Sequence, residues 1–401
     1  MKSFDEQLVS GSILRSVWKL AWPVIALNLV NGAHGWVDHI LLGHFTGGDR
    51  NAANAAVGAS WTSFLVIVVF IASVFHGMNV MMARYAGKQD RDMMSMVFWQ
   101  ALITTVFVLV VVLAPIGYFA APYLLDLINT PEEVLPHALP YLRTLFTLGT
   151  PLFMMFLFTG AFQASGDPKT PLFLGIVSSA LNIGISTVLI MGLGPIPALG
   201  TLGAALGTVC ATSIGSLIAL YLILSKRMIV QPPARWGDLW PDFTIIKRMG
   251  SIGIPTGITG VLLNAGGVGL MFFLGTVENN AAAWAAYTIC YTQVFNLISW
   301  TAFGLRASAS TLMGQNLGAQ QPDRARLAVY MAAGFGLVWA SAIGLLYWFA
   351  PQVLLSLFDV TDPLVASMSI SLLQYLSLSG LVLALALAFT GGLQGAGDTK
   401  T

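Results

Sequence analysis

The chain has 401 residues, of which 9% are charged and 56% are hydrophobic. Soluble domains carry about 25% charged residues, so this chain has too little polar surface to coat a water-soluble globule of its length. Its net charge of +1 gives no basic surface of the kind that indicates nucleic-acid binding. The composition therefore predicts a protein whose solvent is largely lipid.

Long uncharged segments occur along the whole chain. A transmembrane helix needs about 20 mostly apolar residues, and several segments exceed that length without any Asp, Glu, Lys or Arg. The unbroken apolar runs exclude the strands of a membrane barrel, which alternate between apolar and polar residues. The sequence predicts ten membrane-spanning helices, in chain order at residues 16–42, 54–83, 95–121, 139–162, 171–192, 202–225, 248–274, 283–312, 327–350 and 366–392.

The charges that flank these spans predict the orientation of the chain. Most Lys and Arg residues fall in the N-terminal segment and after even-numbered spans, whereas the opposite side holds only Arg50 and Arg143. Cytoplasmic loops carry such an excess of basic residues, so we expect the N-terminus to be cytoplasmic. With no organelle signal in the sequence, we expect a multi-pass protein of a bacterial inner membrane.

The chain repeats itself at an offset of 231 residues. The segment Gln163–Thr170 recurs as Gln394–Thr401, since 394 − 163 = 231, and Gly87 aligns with Gly318 at the same offset. The repeat contains six spans, an even number, so both copies enter the membrane from the same side. The sequence therefore predicts two bundles related by a pseudo-two-fold axis along the membrane normal.

These observations predict an all-α membrane protein with three parts. The N-terminal lobe is expected at residues 1–227, a cytoplasmic linker at 228–246, and the C-terminal lobe at 247–401. The second copy of the repeat stops at Thr401, whereas the first copy continues for two more spans after Thr170. We therefore expect the second six-helix bundle to be truncated, with ten of twelve spans present.

Three motifs together resemble the multidrug and toxic compound extrusion (MATE) family. They are Val37–Gly43 in span one, Gln163–Thr170 after span four and Leu312–Ala319 after span eight, in the family's order and spacing. The resemblance covers the whole chain and implies an ion-driven exporter of amphipathic, often cationic compounds that works by alternating access. We expect no enzyme, because the sequence lacks the HExxH, GxSxG and phosphate-loop patterns.

Asp38 is the acidic residue that the sequence puts in the middle of a span. A charge at the bilayer centre costs about 2.5 to 3.5 kcal/mol, so such residues are usually functional and face a cavity. Asn31, His34 and Asp38 are three and four residues apart, which puts them on one face of a helix. Because burial favours the protonated form of a carboxyl group, we interpret Asp38 as a proton switch.

By resemblance, the cation site of the family's N-terminal lobe carries over to Asp38, Asn182 and Thr208. One branch of the family has a second aspartate four residues after the asparagine, and this chain has Ser186 there. The sodium-linked branch also has carboxylates in the C-terminal lobe, where the alignment gives neutral residues such as Asn264. These differences favour coupling to protons, and sodium-coupled antiport stays the alternative because hard cations need several oxygen ligands.

The remaining candidates concern the substrate. Arg306 in span eight can bind an anionic group, or can extend its side chain to the cytoplasmic interface. Met78, Tyr287 and Tyr291 are candidates to line an adaptable apolar cavity together with Asn264, and core packing is the alternative for each. A flippase or exporter for lipid-linked or other endogenous metabolites is the competing function, although Arg306 alone gives little positive lining for a polyanion.

The expected partners are therefore small-molecule substrates and the lipid bilayer. We expect no nucleic acid, no obligatory protein partner, a monomeric state, no metal site, and no cofactor besides the coupling ion, H+ or alternatively Na+.

Overall fold

The computed structural model describes residues 2–43, 50–128, 130–233, 236–277, 280–356 and 362–399. These ranges contain ten long helical segments, and each matches one predicted span to within one residue at its C-terminal end or contains it entirely, so the predicted all-α membrane fold is confirmed. Their bounds are α1 Ile13–Gly43, α2 Arg50–Gly87, α3 Arg91–Leu127, α4 Leu135–Leu148 with Thr150–Ala164, α5 Lys169–Met191, α6 Thr201–Leu224, α7 Phe243–Thr276, α8 280–318, α9 Pro322–Phe349 and α10 Pro363–Ala396.

Several of these helices can cross a membrane by length and composition alone. Within the described residues, six segments pass that test: Ile13–Gly32 of α1, and α3, α5, α6, α9 and α10. The two halves of α4 bend by 54° and count as a seventh span if taken together. The second half has Pro151 in its first turn, where the missing N–H is tolerated, so the chain can bend and restart a helix there.

Two of the long helices contain a wider, π-helical turn. In α3 this turn is Val108–Leu113, and in α8 it is Thr288–Val294. Such turns add a residue to a helix and rotate the face that follows. In α8 the π-helical turn separates Asn280–Tyr287 from the continuation at Asn296–Gly318.

Contacts divide the chain into two compact units. The first unit comprises Met1–Phe4 and Ala26–Gly257, and the second comprises Asp5–Ile25 and Ile258–Thr401. The division falls within α1 and within α7, so each of these helices contributes to both units. The lobe and linker boundaries expected at residues 227 and 247, and the pseudo-two-fold axis, stay predictions.

In the first unit, the segment between α6 and α7 is held against α3 by side chains of α3. The Trp99 indole donates to the carbonyl of Gln231 at 2.8 Å. Gln100, which is fully buried, donates to the carbonyl of Trp240 and accepts from the amide of Asp242, both at 2.8 Å. These bonds hold the segment to α3 at Gln231, Trp240 and Asp242.

Helix α7 begins earlier than the predicted span at residue 248. The carboxylate of Asp242 accepts hydrogen bonds from the amides of Thr244 at 2.8 Å and Ile245 at 3.3 Å. A side-chain acceptor of this kind satisfies the free N–H groups at a helix start. The helix thus starts at Phe243, and Lys247 and Arg248 belong to it although they precede the apolar run.

In the second unit, glycines of α10 allow close approach to α8 and α9. A Cβ atom added at Gly391 would lie 2.3 Å from the carbonyl oxygen of Arg306, and one at Gly395 would lie 2.3 Å from that of Ser310. Small residues at helix contacts let backbones approach in this way inside membranes. The backbone of α8 is therefore fixed against α10 at Arg306.

Candidate functional site

Helices α5 and α6 of the first unit pack closely through glycines of α6. A Cβ atom added at Gly207 would lie 2.1 Å from Ser186 Oγ, and one added at Gly215 would lie 2.3 Å from Ser178 Oγ. The numbering rises along α6 as it falls along α5, so the two helices are antiparallel. Glycine at these two positions leaves room for two serine hydroxyl groups inside the helix contact.

Asn182 lies on α5 between these two serines. Its Nδ2 donates a hydrogen bond to Thr208 Oγ1 of α6 at 3.1 Å. Asn182 and Ser186 are fully buried and Ser178 is nearly so. Because residues four apart share one face of a helix, Ser178, Asn182 and Ser186 form one line of polar side chains, which we call the polar row.

Three atoms of the polar row are buried without a hydrogen-bond partner among the described residues. They are Ser178 Oγ, Asn182 Oδ1 and Ser186 Oγ. Leaving a buried polar group unsatisfied costs about 1 to 3 kcal/mol, and such groups are uncommon in folded proteins. Alanine at the serine positions would pack without that cost, so the polar row is better explained by a ligand than by packing.

The structure brings together three of the residues predicted for the N-terminal site, namely Asn182, Ser186 and Thr208. It adds Ser178, which the sequence interpretation missed, although the spacing of four residues from Asn182 would have indicated it. Asn31 is exposed on α1. The side chains of Asp38 and His34 lie outside the described residues, so their roles stay predictions.

Helix α1 contacts α5 close to the polar row. A Cβ atom added at Gly175 would lie 2.2 Å from Leu27 Cδ1, which makes this another position where glycine permits close approach. Residues 26–43 of α1 belong to the same compact unit as α5 and α6. The polar row therefore lies beside the helix that carries Asp38.

The residues predicted to line a substrate cavity have different environments. Met78 is fully buried in the hydrophobic core of the first unit. Tyr287 is buried in the second unit, whereas Tyr291 is 41% exposed. Their rings stack with centroids 5.0 Å apart, and Tyr291 stacks on Phe295 at 5.6 Å. The side chain of Asn264 lies outside the described residues.

Arg306 of α8 is partly buried in the second unit. Its Nε donates to Gln394 Oε1 of α10 at 3.1 Å. At the offset of the repeat, the corresponding residue of the first copy is Phe75, since 306 − 231 = 75, and Phe75 is buried. The first copy of the sequence repeat thus has an apolar ring at the aligned position.

The apolar helices and the polar row buried between two of them define this protein as a polytopic α-helical membrane protein. A family model described as MatE matches residues 23–188 and 255–401. The chain therefore belongs to the MatE family, the multidrug and toxic compound extrusion family that its motifs resemble.

Relatives with named functions support this assignment. The chain is 28% identical over 365 residues to the "Probable multidrug resistance protein YoeA" of Bacillus subtilis, covering 88% of this chain and 76% of that protein. It is 26% identical over 317 residues to the "FAD transporter" of Shewanella oneidensis, covering 78% of this chain and 67% of that protein. Its fold matches the outward-facing structure of a multidrug resistance MATE family transporter with a TM-score of 0.86 at 22% identity, covering 100% of this chain and 86% of the other.

Proposed function

We propose that this protein is a secondary active efflux transporter that exchanges amphipathic or cationic drug-like compounds for protons. The observation that carries the proposal is the polar row, in which Asn182 Oδ1 and Ser186 Oγ are buried without a described partner. Membership of the MatE family and the name of the Bacillus relative, a probable multidrug resistance protein, support efflux as the direction of transport. In this proposal Asp38 carries the proton, and Asn182, Ser186 and Thr208 support it.

The helix register supports a position of Asp38 beside the polar row. Helices α1 and α5 both start on the predicted cytoplasmic side, so they run in the same direction. Leu27 contacts Gly175, and both Asp38 and Ser186 follow these contact residues by eleven positions, since 38 − 27 = 186 − 175. At about 1.5 Å of rise per residue, Asp38 is expected level with Ser186.

A carboxyl group at this place would couple proton movement to export by competition. Exchange of one proton for a monovalent cation moves no net charge, so each pH unit contributes about 1.4 kcal/mol, or tenfold accumulation. A neutral substrate adds the membrane potential, about 2.3 kcal/mol per 100 mV. Either driving force is sufficient for useful efflux with a single titrating carboxyl group.

The experiment is transport of a fluorescent cationic dye by the protein in proteoliposomes, with pH and sodium gradients imposed separately. We expect dye movement to follow the pH gradient at constant sodium. Dye movement that follows only the sodium gradient would overturn proton coupling and favour the sodium alternative. Dissipating the pH gradient with an ionophore provides the control within the same vesicles.

Export of anionic metabolites is the second candidate function, and Arg306 favours it. An arginine binds carboxylate or phosphate groups through its planar fork of donors, and the repeat shows phenylalanine at the equivalent position. The Shewanella relative is described as an FAD transporter, and FAD is an anionic compound. The hydrogen bond that Arg306 Nε donates to Gln394 Oε1 would orient the guanidinium group for such a ligand.

Replacing Arg306 by phenylalanine tests this candidate with a residue that the repeat already tolerates. If the substrate is anionic, Arg306→Phe should raise the KM for an anionic substrate and leave the thermal stability nearly unchanged. If the substrate is cationic, the same variant should transport the dye as well as the wild type or better. A loss of folded protein would instead identify Arg306 as a packing residue.

We further propose that the protein is a monomer in a bacterial inner membrane with a cytoplasmic N-terminus. The distribution of Lys and Arg supports the orientation, and the bacterial relatives support the membrane.

A further inference from the structure

We propose that the polar row binds a file of ordered water molecules that extends the proton site from Ser186 to Ser178, toward the Lys169 end of α5. The water file rests on the proposed function only for its role in proton movement. As a binding site it depends on the α5–α6 contact alone. Ser178 and the two glycines of α6 are the residues that this proposal adds to the site.

The row has three levels, and each pairs one residue of α5 with one of α6. Ser186 lies against Gly207, Asn182 is bonded to Thr208, and Ser178 lies against Gly215. Eight residues separate Ser178 from Ser186, which corresponds to about 12 Å along the helix axis. The row therefore spans a considerable part of the apolar interior of the unit.

The spacing of the levels suits water. Side chains four residues apart on a helix have Cβ atoms about 5 to 6 Å apart. Two consecutive hydrogen bonds of about 2.8 Å each, one on either side of a water molecule, span this distance of about 5 to 6 Å. One water molecule can therefore join each pair of adjacent levels. Each such water would find two or more polar partners, which is what a buried water requires.

The chemistry of the side chains favours water over a metal cation. Each serine hydroxyl can donate and accept, and Asn182 Oδ1 accepts, so the row can continue a hydrogen-bonded chain in both directions. The row itself contains no carboxylate, and the carboxyl group of Asp38 is proposed only at its Ser186 end, whereas hard cations are bound by several oxygen ligands that usually include carboxylates. A proton would move along the row between water molecules and serine hydroxyls, each of which takes up one proton and releases another. Asn182 Oδ1 only accepts, so it holds the two adjacent water molecules in place and the proton passes directly from one of them to the other.

Two neighbouring hydroxyl groups on α6 have hydrogen-bond partners within the protein. Ser216 donates to the carbonyl of Pro151 of α4 at 2.9 Å, and Ser213 donates to the carbonyl of Val209 in its own helix at 2.6 Å. Both groups therefore serve the fold. The unpartnered hydroxyls of Ser178 and Ser186 differ from them, as expected for groups that bind water.

Met155 can report on water at the Ser178 end of the polar row. Its Sδ lies 3.5 Å from the Cβ position of Gly215, next to Ser178 Oγ. Pulsed X-ray radiolysis converts bound water to hydroxyl radicals, which oxidise a methionine beside it. Met94, which is fully buried in the apolar core of the same unit, gives the rate of an enclosed methionine. Met155 is itself only partly buried, so the matched control is the rate at Met155 in Ser213→Ala.

The experiment measures oxidation of Met155 and Met94 in wild type, Ser178→Ala and Ser213→Ala, using the purified protein in lipid nanodiscs. We expect Met155 to be oxidised several-fold faster than Met94 in wild type and in Ser213→Ala. In Ser178→Ala the rate at Met155 should fall toward that of Met94. Equal oxidation of Met155 in Ser178→Ala and wild type would overturn the water file.

Transport by the same variants separates this inference from the proposed function. We expect Ser178→Ala to lower the maximal rate of pH-driven transport several-fold, with the KM for substrate and the midpoint of the pH profile unchanged. If proton coupling is correct but the polar row holds no water, Ser178→Ala should transport at the wild-type rate and Asp38→Asn should not transport. If the polar row holds water but the protein is not coupled to protons, Met155 should be oxidised and Asp38→Asn should still transport.

Discussion

Replacing Asn182 by alanine should separate a site residue from a packing residue, because its hydrogen bonding is incomplete. The variant loses one bond to Thr208, worth about 0.5 to 1.5 kcal/mol, and Oδ1 has no bond to a described residue that would add to this loss. The free energy of unfolding should therefore fall by no more than about 1.5 kcal/mol. The proposed proton site nevertheless loses its central residue.

Ser216→Ala is the matched control on the facing helix. Ser216 is buried and its hydroxyl donates to the carbonyl of Pro151, which lies inside a helix and keeps its backbone donor in the variant. Losing the side-chain bond should destabilise the protein by about 0.5 to 1.5 kcal/mol, the same range as for Asn182→Ala. Transport per folded molecule should stay intact, because Ser216 is not part of the polar row.

The assay combines thermal unfolding in detergent with pH-driven dye transport, normalised to folded protein. We expect the unfolding temperature of Asn182→Ala to stay within about 2 °C of the wild type, with transport strongly reduced. Ser216→Ala should change the unfolding temperature by a similar amount and leave transport intact. If Asn182→Ala unfolds at a clearly lower temperature and still transports normally, Asn182 is a structural residue and the reasoning from its unpartnered oxygen is wrong.

Two further predictions concern the fold of the first unit. Gly77→Ala should destabilise the protein by about 1 to 3 kcal/mol, because the added Cβ would lie 2.1 Å from the backbone oxygen of Met249. Gly58→Ala on the same helix is the control: its added Cβ meets nothing within 4 Å, so the variant should be neutral or slightly stabilising. Similar unfolding temperatures for the two variants would refute this. Lys2→Met should cost less than about 1 kcal/mol because Lys2 is half-exposed, whereas Asp167→Ala also removes an acceptor for the Thr170 hydroxyl and should lower the unfolding temperature more. Equal effects of these two variants would contradict that ranking.

The sequence was sufficient to predict the helices, because an apolar run of membrane length has one common solution. Seven of the ten predicted spans lie within described helices and the other three extend one residue beyond them, yet the helix starts differ where polar residues stay helical. The start of α7 at Phe243 depends on the Asp242 cap, which a search for uncharged residues cannot detect. The bend in α4 follows from Pro151, a residue that the span prediction did not use.

The candidate site was predictable only in part. The family resemblance indicated Asn182, Ser186 and Thr208, and the structure brings these residues together between α5 and α6. The resemblance did not include Ser178. Its spacing of four residues from Asn182 is a signal, but a weak one, because a serine in an apolar helix usually bonds to its own backbone. Only the approach of Gly215 shows that this hydroxyl is enclosed by a second helix.

The central claim is that a carboxyl group at Asp38 couples export to the proton gradient. The measurement that tests it most directly is pH-driven dye efflux by Asp38→Asn in proteoliposomes, normalised to folded protein and followed across a range of pH. Asparagine keeps the size and hydrogen-bonding capacity of the side chain but cannot exchange a proton. We expect a folded protein of nearly unchanged unfolding temperature that no longer responds to the pH gradient. Efflux equal to the wild type with the same pH dependence would contradict the claim and put the coupling site elsewhere.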